Sequence, residues 1–260
     1  MKATWTGTIS LGLLHVPVNL YTGDKDERVS FRQICPTHEC RVEQRLYCKT
    51  GGEQVARDDV AKGFELEEGK FIVLTAAEIE RAASPMSKVL DVEVCVPEAA
   101  VDPRYFDRLY IALPPKKDPG RVYALLRDAL TSTGHIGIGR ITMRTKMYLA
   151  AVRPFGDLLT VHLMLWPIEL KPLAEFVAPD AAVKPEELAL AAQLVEGYVR
   201  PFDPAEFVDE HSENVKKLIE ARIRGETVSF TPQEEPKAST TDLAALLLAS
   251  IAAAPKRHAA

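Results

Sequence analysis

Apolar and polar residues alternate in several segments of the first 175 positions, a pattern typical of strands with one buried face. The opening stretch WTGTISLGLLHVPVNLY has this period of two, but its phase changes between Leu13 and Val16. We therefore expect a bulge or bend near Leu14 and His15. The segments GKFIVLT, SKVLDVEVCVP and RLYIALPP predict further strands, and alternation on both sides of positions 155–157 predicts a hairpin.

Two helices are expected within this β-rich part. Thr75 and Glu78 have the spacing of a capping box, which predicts a helix directly after a strand. The segment DPGRVYALLRDALTSTG predicts a second helix, with Asp118 as its N-cap, Pro119 in its first turn and Gly134 at its end.

The pattern changes after Pro172, where KPEELALAAQLVEGYV and PAEFVDEHSENVKKLIEARIRG have helical spacing. A Pro-rich polar stretch, TPQEEPKAST, then leads to a short apolar helix near the C-terminus. The sequence thus predicts a mixed, β-rich fold with a core over 1–175, a helical extension over 176–230, and a linker with a terminal helix over 231–260.

One face of the terminal helix is apolar. Its residues fall at positions i, i+3, i+4 and i+8, and they are Leu243, Leu246, Leu247 and Ile251. A helix this short is marginal alone in water. The face predicts either docking into a groove of a partner protein or packing against the chain's own core.

The formal net charge of −5 hides two basic stretches. The first holds six basic and three acidic residues; its basic residues are Arg28, Arg32, Arg41, Arg45, Lys49 and Arg57. The second has Asp128 as its single acidic residue; its basic residues are Arg121, Arg127, Arg140, Arg144, Lys146 and Arg153. Such stretches favour phosphate contacts, although solvated strand faces are an alternative.

The residues around these cations indicate which kind of nucleic acid they would contact. Arg41 and Arg45, like Arg140 and Arg144, are separated by an even number of positions, so each pair is expected on one face of a strand. Few aromatic residues stand among them, and no recognition helix is evident, which disfavours base stacking and major-groove reading. The pattern therefore favours contact with the backbone of a duplex.

The stretch CPTHECRVEQRLYC carries the candidate metal ligands Cys35, His38, Cys40 and Cys48. Thiolates and imidazoles are the usual ligands of structural zinc. The spacings are looser than the common Cys-x2-Cys pair, because Gly51 stands where a further cysteine would complete it. Structural zinc and reduced thiols in a hairpin both remain open, and no other cofactor is expected.

Signals of catalysis and of membrane insertion are missing from the sequence. Neither a phosphate-binding loop of Walker type nor a G-x-S-x-G nucleophile motif is present, so we expect no enzymatic activity. The longest apolar stretch, LAALLLASIAAA, is too short to span a bilayer. We expect a cytoplasmic protein that does not interact with membranes.

Four segments together resemble the prokaryotic Ku family: KATWTGTISLGLLHVPVNLY, VAKGFELEEGKFIVLTAAEIE, VDPRYFDRLYIALPP and YALLRDALTSTGHIGIGRITMRTKMYLAAVRP. The resemblance covers about residues 2 to 225. It implies a homodimeric ring with a β-barrel core that binds double-stranded DNA ends in non-homologous end joining. It also implies location at the nucleoid, no catalysis, and recruitment of a multifunctional ATP-dependent DNA ligase, for which the terminal helix is the candidate docking element.

By rough alignment, the resemblance places a DNA-encircling arm at about residues 30–64, so the arginines around the cysteines would face phosphates. Its implied DNA contacts are the basic residues from Arg28 to Arg57 together with Arg140, Arg144, Lys146 and Arg153. A zinc-stabilised scaffold that acts through protein contacts is the alternative function. Binding to linear and to closed-circular duplex separates the two, because a threading ring needs an end.

Overall fold

A computed structural model describes residues 2–24, 29–82, 87–230 and 243–253. The chain divides into two compact units. The first comprises Met1–Glu27 and Arg32–Glu175, and the second comprises Arg28–Phe31 and Phe176–Ala260. In the described ranges, no helix is long and apolar enough to cross a membrane.

The strands of the described part lie in the first unit. They are β1 (Trp5–Leu11), β2 (Leu14–Thr22), β3 (Ile34–Cys35), β4 (Cys40–Arg41), β5 (Leu46–Tyr47), β6 (Gln54–Val55), β7 (Lys62–Glu67), β8 (Lys70–Leu74), β9 (Val89–Pro97), β10 (Phe106–Leu113), β11 (His135–Met143), β12 (Lys146–Phe155) and β13 (Leu158–Met164). The helices are α1 (Ala76–Ala82), α2 (Arg121–Thr133), α3 (Pro185–Tyr198), α4 (Glu210–Ile223) and α5 (Leu243–Ala253).

Seven strands form a closed barrel in the order β1-β2-β10-β13-β12-β11-β9. Closure comes from a short parallel pairing of β1 with β9, whereas the other neighbours in the barrel are antiparallel. Alternate side chains fill the interior, where Ile9, Val18, Leu90, Val152 and Val161 are fully buried. The predicted β-rich fold with a barrel core is confirmed.

Helix α2 completes this interior through Tyr123, Leu126 and Leu130. The Tyr123 hydroxyl donates to the Ala112 carbonyl at 2.8 Å and accepts from the Leu159 N–H at 2.6 Å, which fixes the helix to β10 and β13. Burial raises the pKa of Tyr123, so the phenol stays protonated. The helix ends at Gly134 as predicted, in a left-handed conformation.

The start of α2 differs from the prediction. Gly120 occupies the N-cap position, and α2 begins at Arg121. Asp118 instead accepts a hydrogen bond from the Gly120 N–H at 2.7 Å, which makes a turn before the helix.

The bulge or bend expected near Leu14 and His15 is a hairpin turn at Gly12 and Leu13. β1 and β2 pair directly from Leu11 to Leu14, and Gly12 lies at φ 59 in the tight turn between them. The phase change in the sequence therefore marks a hairpin turn.

A smaller apolar cluster lies outside the barrel wall. Ile136, Ala151 and Met164 are its buried members, and Val101, Tyr105 and Phe106 pack against them. The chain between β9 and β10 therefore covers part of the outer surface of β11, β12 and β13.

In the second unit, α5 packs against α3. Leu247 and Ile251 are half-buried on α5, whereas Leu243 and Leu246 are exposed. Helix α4 starts after Asp209, whose side chain accepts from the Ser212 N–H at 3.1 Å. The linker predicted over the stretch TPQEEPKAST, residues 231–240, lies outside the described residues.

Candidate nucleic-acid interface

Residues 32–82, which we call the arm, join β2 to β9 through three small hairpins and α1. The hairpins pair β3 with β4, β5 with β6, and β7 with β8. None of the arm's residues is buried, and Phe64, Leu66 and Phe71 are about 60% exposed. A segment of this length without a core of its own gains little stability from burial, so it is suited to lie against another molecule.

Strand directions show where the arm is attached. β2 runs antiparallel to β1 and ends at Thr22, whereas β9 runs parallel to β1 and starts at Val89. The arm therefore leaves and re-enters the barrel at one end. The turn between β11 and β12 lies at this same end, because β11 is antiparallel to β9 and Ile141 pairs with Leu90.

This end, which we call the arm end, collects cations from distant parts of the sequence. Arg144 and Lys146 lie in and beside the β11–β12 turn, and both are exposed. Arg144 has a left-handed backbone at φ 58, which a turn of this kind requires. Neither side chain has an acidic partner within the described part of the chain.

The arm's cations are exposed as well. Arg32, Arg41, Lys49 and Arg57 form no ion pair with any described residue. Arg45 differs, because its guanidinium lies 3.2 Å from the Glu43 carboxylate.

The expected strand faces are not found. Arg41 ends β4, and Arg45 lies beyond that strand. Arg140 lies in β11, whereas Arg144 lies in the following turn. The strands are shorter than the even spacing implied, so neither pair of arginines shares a strand. Arg28 lies outside the described residues.

Two cations of the barrel wall are engaged within the chain. Arg140 pairs with Glu93 of the neighbouring strand at 3.2 Å. Arg153 forms an ion pair with Glu98 and lies over the Phe106 ring, with 4.9 Å between its guanidinium carbon and the ring centre. Arg153 also pairs in register with Thr160, near the turn at the opposite end of the barrel. These partners make Arg140 and Arg153 less available to phosphates than Arg144 and Lys146.

His162 belongs to the cluster around Arg153. Its ring meets Phe106 edge-on with centroids 5.3 Å apart, and its Nε2 lies 3.4 Å from the Arg153 guanidinium. Burial lowers the pKa of His162, and the charge of Arg153 lowers it further. His162 is therefore neutral near pH 7 and has a packing role in the barrel wall.

The predicted zinc ligands do not converge. Cys35 Sγ lies 3.5 Å from His38 Nδ1, and Cys35 stands opposite Cys40 across the β3–β4 hairpin. Cys48 lies in the next hairpin region, where its sulfur accepts from the Gly51 N–H at 3.4 Å. Across the described ranges, no three His, Cys, Asp or Glu side chains are grouped as a metal site requires. These residues do not fit a structural zinc ion.

Hydrogen bonds to Cys35 stabilise the deprotonated form of its thiol. Backbone hydrogen bonds from His38 and Thr37 hold the pKa of Cys35 below its ordinary value. All four cysteines are free, and Cys40 and Cys95 are exposed.

Lys88 is a candidate contact that sequence reasoning missed. It immediately precedes β9 at the arm end, and its side chain is exposed. Its carbonyl accepts from the Thr8 N–H at 2.8 Å, which holds this backbone beside β1. Lys88 stands apart from the basic stretches in the sequence, so only the barrel topology brings it near Arg144 and Lys146.

Comparison with known proteins gives consistent matches. Residues 10–190 match the family model described as the Ku70/Ku80 beta-barrel domain. A relative from Frankia casuarinae, named Non-homologous end joining protein Ku, is 36% identical over 98% of this chain. The chain spans 64% of that relative's length, just under two thirds.

Two further relatives are matched over more of their own length. Non-homologous end joining protein Ku 2 of Saccharopolyspora erythraea is 35% identical over 91% of this chain and 78% of its own. Non-homologous end joining protein Ku of Mycobacterium tuberculosis is 32% identical over 99% of this chain and 97% of its own. The similarity therefore extends through both units.

Proposed function

This chain belongs to the Ku family, and we propose that it binds the ends of double-stranded DNA in non-homologous end joining. One observation carries the proposal beyond family membership. The arm and the β11–β12 turn share one end of the barrel. This end presents exposed cations that form no ion pair with a described residue, namely Arg32, Arg41, Lys49, Arg57, Arg144 and Lys146. Lys88 extends the same group.

The contacts proposed are with the DNA backbone. Exposed guanidinium and ammonium groups on turns and short hairpins can reach phosphates without entering a groove. Binding is then independent of sequence, and its affinity falls steeply as salt rises, because each phosphate contact releases condensed counterions.

The arm is proposed to encircle the duplex as half of a homodimeric ring. Its described residues have no buried side chain, so the arm alone has little to hold it in one conformation. A second subunit and the DNA would cover the apolar side chains exposed on β7 and β8, including Phe64, Leu66 and Phe71. The negative net charge of −5 is compatible with this arrangement, because only an inner surface needs to be basic.

The protein is further proposed to act without catalysis at the nucleoid and to recruit an ATP-dependent DNA ligase through α5. Leu243 and Leu246 are the accessible apolar side chains of the predicted docking face. Leu247 and Ile251 are half-buried on the helix that packs against α3. Docking through the first pair leaves α5 on α3, whereas docking through all four requires α5 to leave it.

A zinc-stabilised scaffold has less support as the function. Its metal ligands do not converge in the described part, and the relatives are named for end joining. The cation group at the arm end would have no evident role in such a scaffold.

The decisive experiment compares three forms of one duplex of equal length: linear, linear with both ends blocked by bulky caps, and covalently closed. Threading predicts tight binding to the open linear form and weak binding to the other two. Equal affinity for all three would show an ordinary basic surface and refute end binding. A salt titration of the linear form then reports how many phosphates are neutralised.

A further inference from the structure

We propose that Cys35 and Cys40 form a reversible disulfide that closes the β3–β4 hairpin when the protein meets a peroxide. The two residues are direct partners in the antiparallel register of this hairpin. Opposed residues in such a pair have Cα atoms about 4.5–5.5 Å apart. Disulfides span about 4.4–6.8 Å between Cα atoms, so the backbone needs no rearrangement to place the sulfurs in bonding range.

The other two cysteines lack this arrangement. Cys48 lies in the loop between β5 and β6, and its sulfur already accepts a hydrogen bond from Gly51. Cys95 lies in β9, where its register partner is Gly137. Cys35 and Cys40 are thus the one pair of cysteines opposed within the described strands.

Both thiols can be reached by a small oxidant. Cys40 is exposed and Cys35 is half-buried. The connecting turn contains Glu39 at φ 49, and all of its residues are exposed. The hairpin contributes no side chain to the barrel interior, so a bond across it leaves the core packing unchanged.

The chemistry is a two-electron oxidation by hydrogen peroxide. The thiolate sulfur of Cys35 attacks one peroxide oxygen, the O–O bond breaks, and the released hydroxide takes a proton to become water. The thiolate of Cys40 then attacks the sulfenic sulfur of Cys35, the S–O bond breaks, and a second water leaves. Two thiols lose two protons and two electrons, and one peroxide becomes two waters. A dithiol reductant reverses the step by thiol–disulfide exchange.

The bond would lie on the face of the hairpin away from Arg41. Neighbouring residues of a strand point to opposite faces, and Arg41 pairs with Ile34 on the other face. Oxidation would therefore close the hairpin while leaving the Arg41 guanidinium available. This gives the arm a second, more rigid state without removing a cation from it.

The test uses the full chain, treated with hydrogen peroxide at neutral pH and then alkylated and digested with trypsin. Cys35 and Cys40 fall in one tryptic peptide, QICPTHECR, whereas Cys48 and Cys95 fall in two others. The proposal predicts that QICPTHECR loses two hydrogen atoms and resists alkylation, while the other two peptides are alkylated. A dithiol reductant added before alkylation should restore both labels.

Matched variants make the result specific. Cys35→Ser and Cys40→Ser should each abolish the bridge, and Cys40→Ser should leave a sulfenic acid on Cys35 that a dimedone probe captures. Cys48→Ser should leave the bridge unchanged. Alkylation of both thiols of QICPTHECR after peroxide, or a bridge from Cys48 to either residue, would overturn the proposal.

DNA binding gives an independent readout that rests on the proposed function. Because the bond lies opposite Arg41, the oxidised and reduced proteins should bind duplex ends with affinities within about threefold of each other. A larger loss in the oxidised form would contradict the placement of the bond away from the arginine. If neither form bound ends, the proposed function would fail, and the peptide analysis would still decide the disulfide.

Discussion

Arg153 and Glu98 form an ion pair on the outer side of the barrel, joining β12 to the turn that follows β9. The Arg153 side chain is 24% exposed, and its guanidinium also covers the Phe106 ring. An arginine held in this way supports the segment that covers the outer apolar cluster.

Replacing Arg153 with methionine should therefore lower the free energy of unfolding by about 1–3 kcal/mol, because Glu98 loses its partner and the ring loses its cation. Urea denaturation measures the change. Arg144→Met is the matched control, since Arg144 is an exposed turn residue without an acidic partner in the described chain, and it should change stability by less than about 0.5 kcal/mol. Equal effects of the two substitutions would refute a structural role specific to Arg153.

His162 predicts a dependence of stability on pH. Its pKa is lowered in the folded protein from its ordinary value of 6.5, so the unfolded chain binds more protons between these two values. The contribution of His162 to the free energy of unfolding is fully present above pH 6.5, and it declines as the pH falls toward the lowered pKa.

Denaturation midpoints measured across this range should fall less steeply in His162→Gln than in the unchanged protein. Each protein's midpoint is expressed relative to its own value at pH 7.5. This removes the pH-independent effect of the substitution on packing. Parallel pH profiles would exclude His162 as the titrating group.

We expect two nearby arginines of the arm to contribute unequally to DNA binding. Arg41 has no ion-pair partner among the described residues, whereas Arg45 lies 3.2 Å from Glu43. Arg41→Gln should weaken binding to duplex ends more than Arg45→Gln does, and it should reduce the slope of log affinity against log salt by about 1.

Arg127→Gln is the control for general loss of positive charge. Arg127 donates to the Asp157 carbonyl in the β12–β13 turn, at the barrel end away from the arm. Its replacement should leave DNA affinity nearly unchanged. If Arg127 mattered as much as Arg41, the DNA path would not be set by the arm end.

We expect purified protein to contain well below one zinc per chain, since no three metal-ligating side chains are grouped in the described residues. Elemental analysis after dialysis against metal-free buffer measures this. Cys48→Ser should change neither the metal content nor DNA binding. About one zinc per chain, lost in Cys48→Ser, would show that the arm folds differently when metal is present.

We expect the exposed and the half-buried leucines of the terminal helix to have different roles. Leu243→Asp combined with Leu246→Asp should reduce stimulation of the DNA ligase while α5 stays on α3, because both leucines are exposed. Leu247→Asp should also loosen α5, because Leu247 is half-buried on the helix that packs against α3. Ligation assays and amide hydrogen exchange of α5 distinguish these effects. Unchanged ligation in both variants would remove α5 from the docking surface.

Several local signals in the sequence were confirmed, although the N-cap of α2 is Gly120 and not Asp118. The Thr75 N–H donates to the Glu78 carboxylate at 2.8 Å, as the capping-box spacing indicated. The hairpin at 155–157 and the end of α2 at Gly134 also follow from single turn residues with left-handed backbones. These features depend on neighbours within a few positions, which a sequence displays directly.

Long-range relationships could not be read in the same way. The parallel pairing of Thr8 with Val89 closes the barrel and decides where the arm is attached, yet neither residue signals the other. Gly139 is required because a Cβ there would lie 1.8 Å from the Asp91 carbonyl oxygen, a contact made only by the folded sheet. The candidate site could not be predicted in full for the same reason. Lys88 and Arg144 lie at the arm end only because of the directions in which the barrel strands run.

Closure of the barrel also limits where another chain could add a β-strand to this protein. A closed sheet offers no unpaired strand edge, so the barrel cannot be extended by strand addition from another chain. The two-stranded sheet of β7 and β8 keeps open edges and carries exposed Phe64, Phe71 and Ile72. Unwanted aggregation should therefore begin at this hairpin. Any molecule that binds over it would also protect the protein against aggregation in the cell.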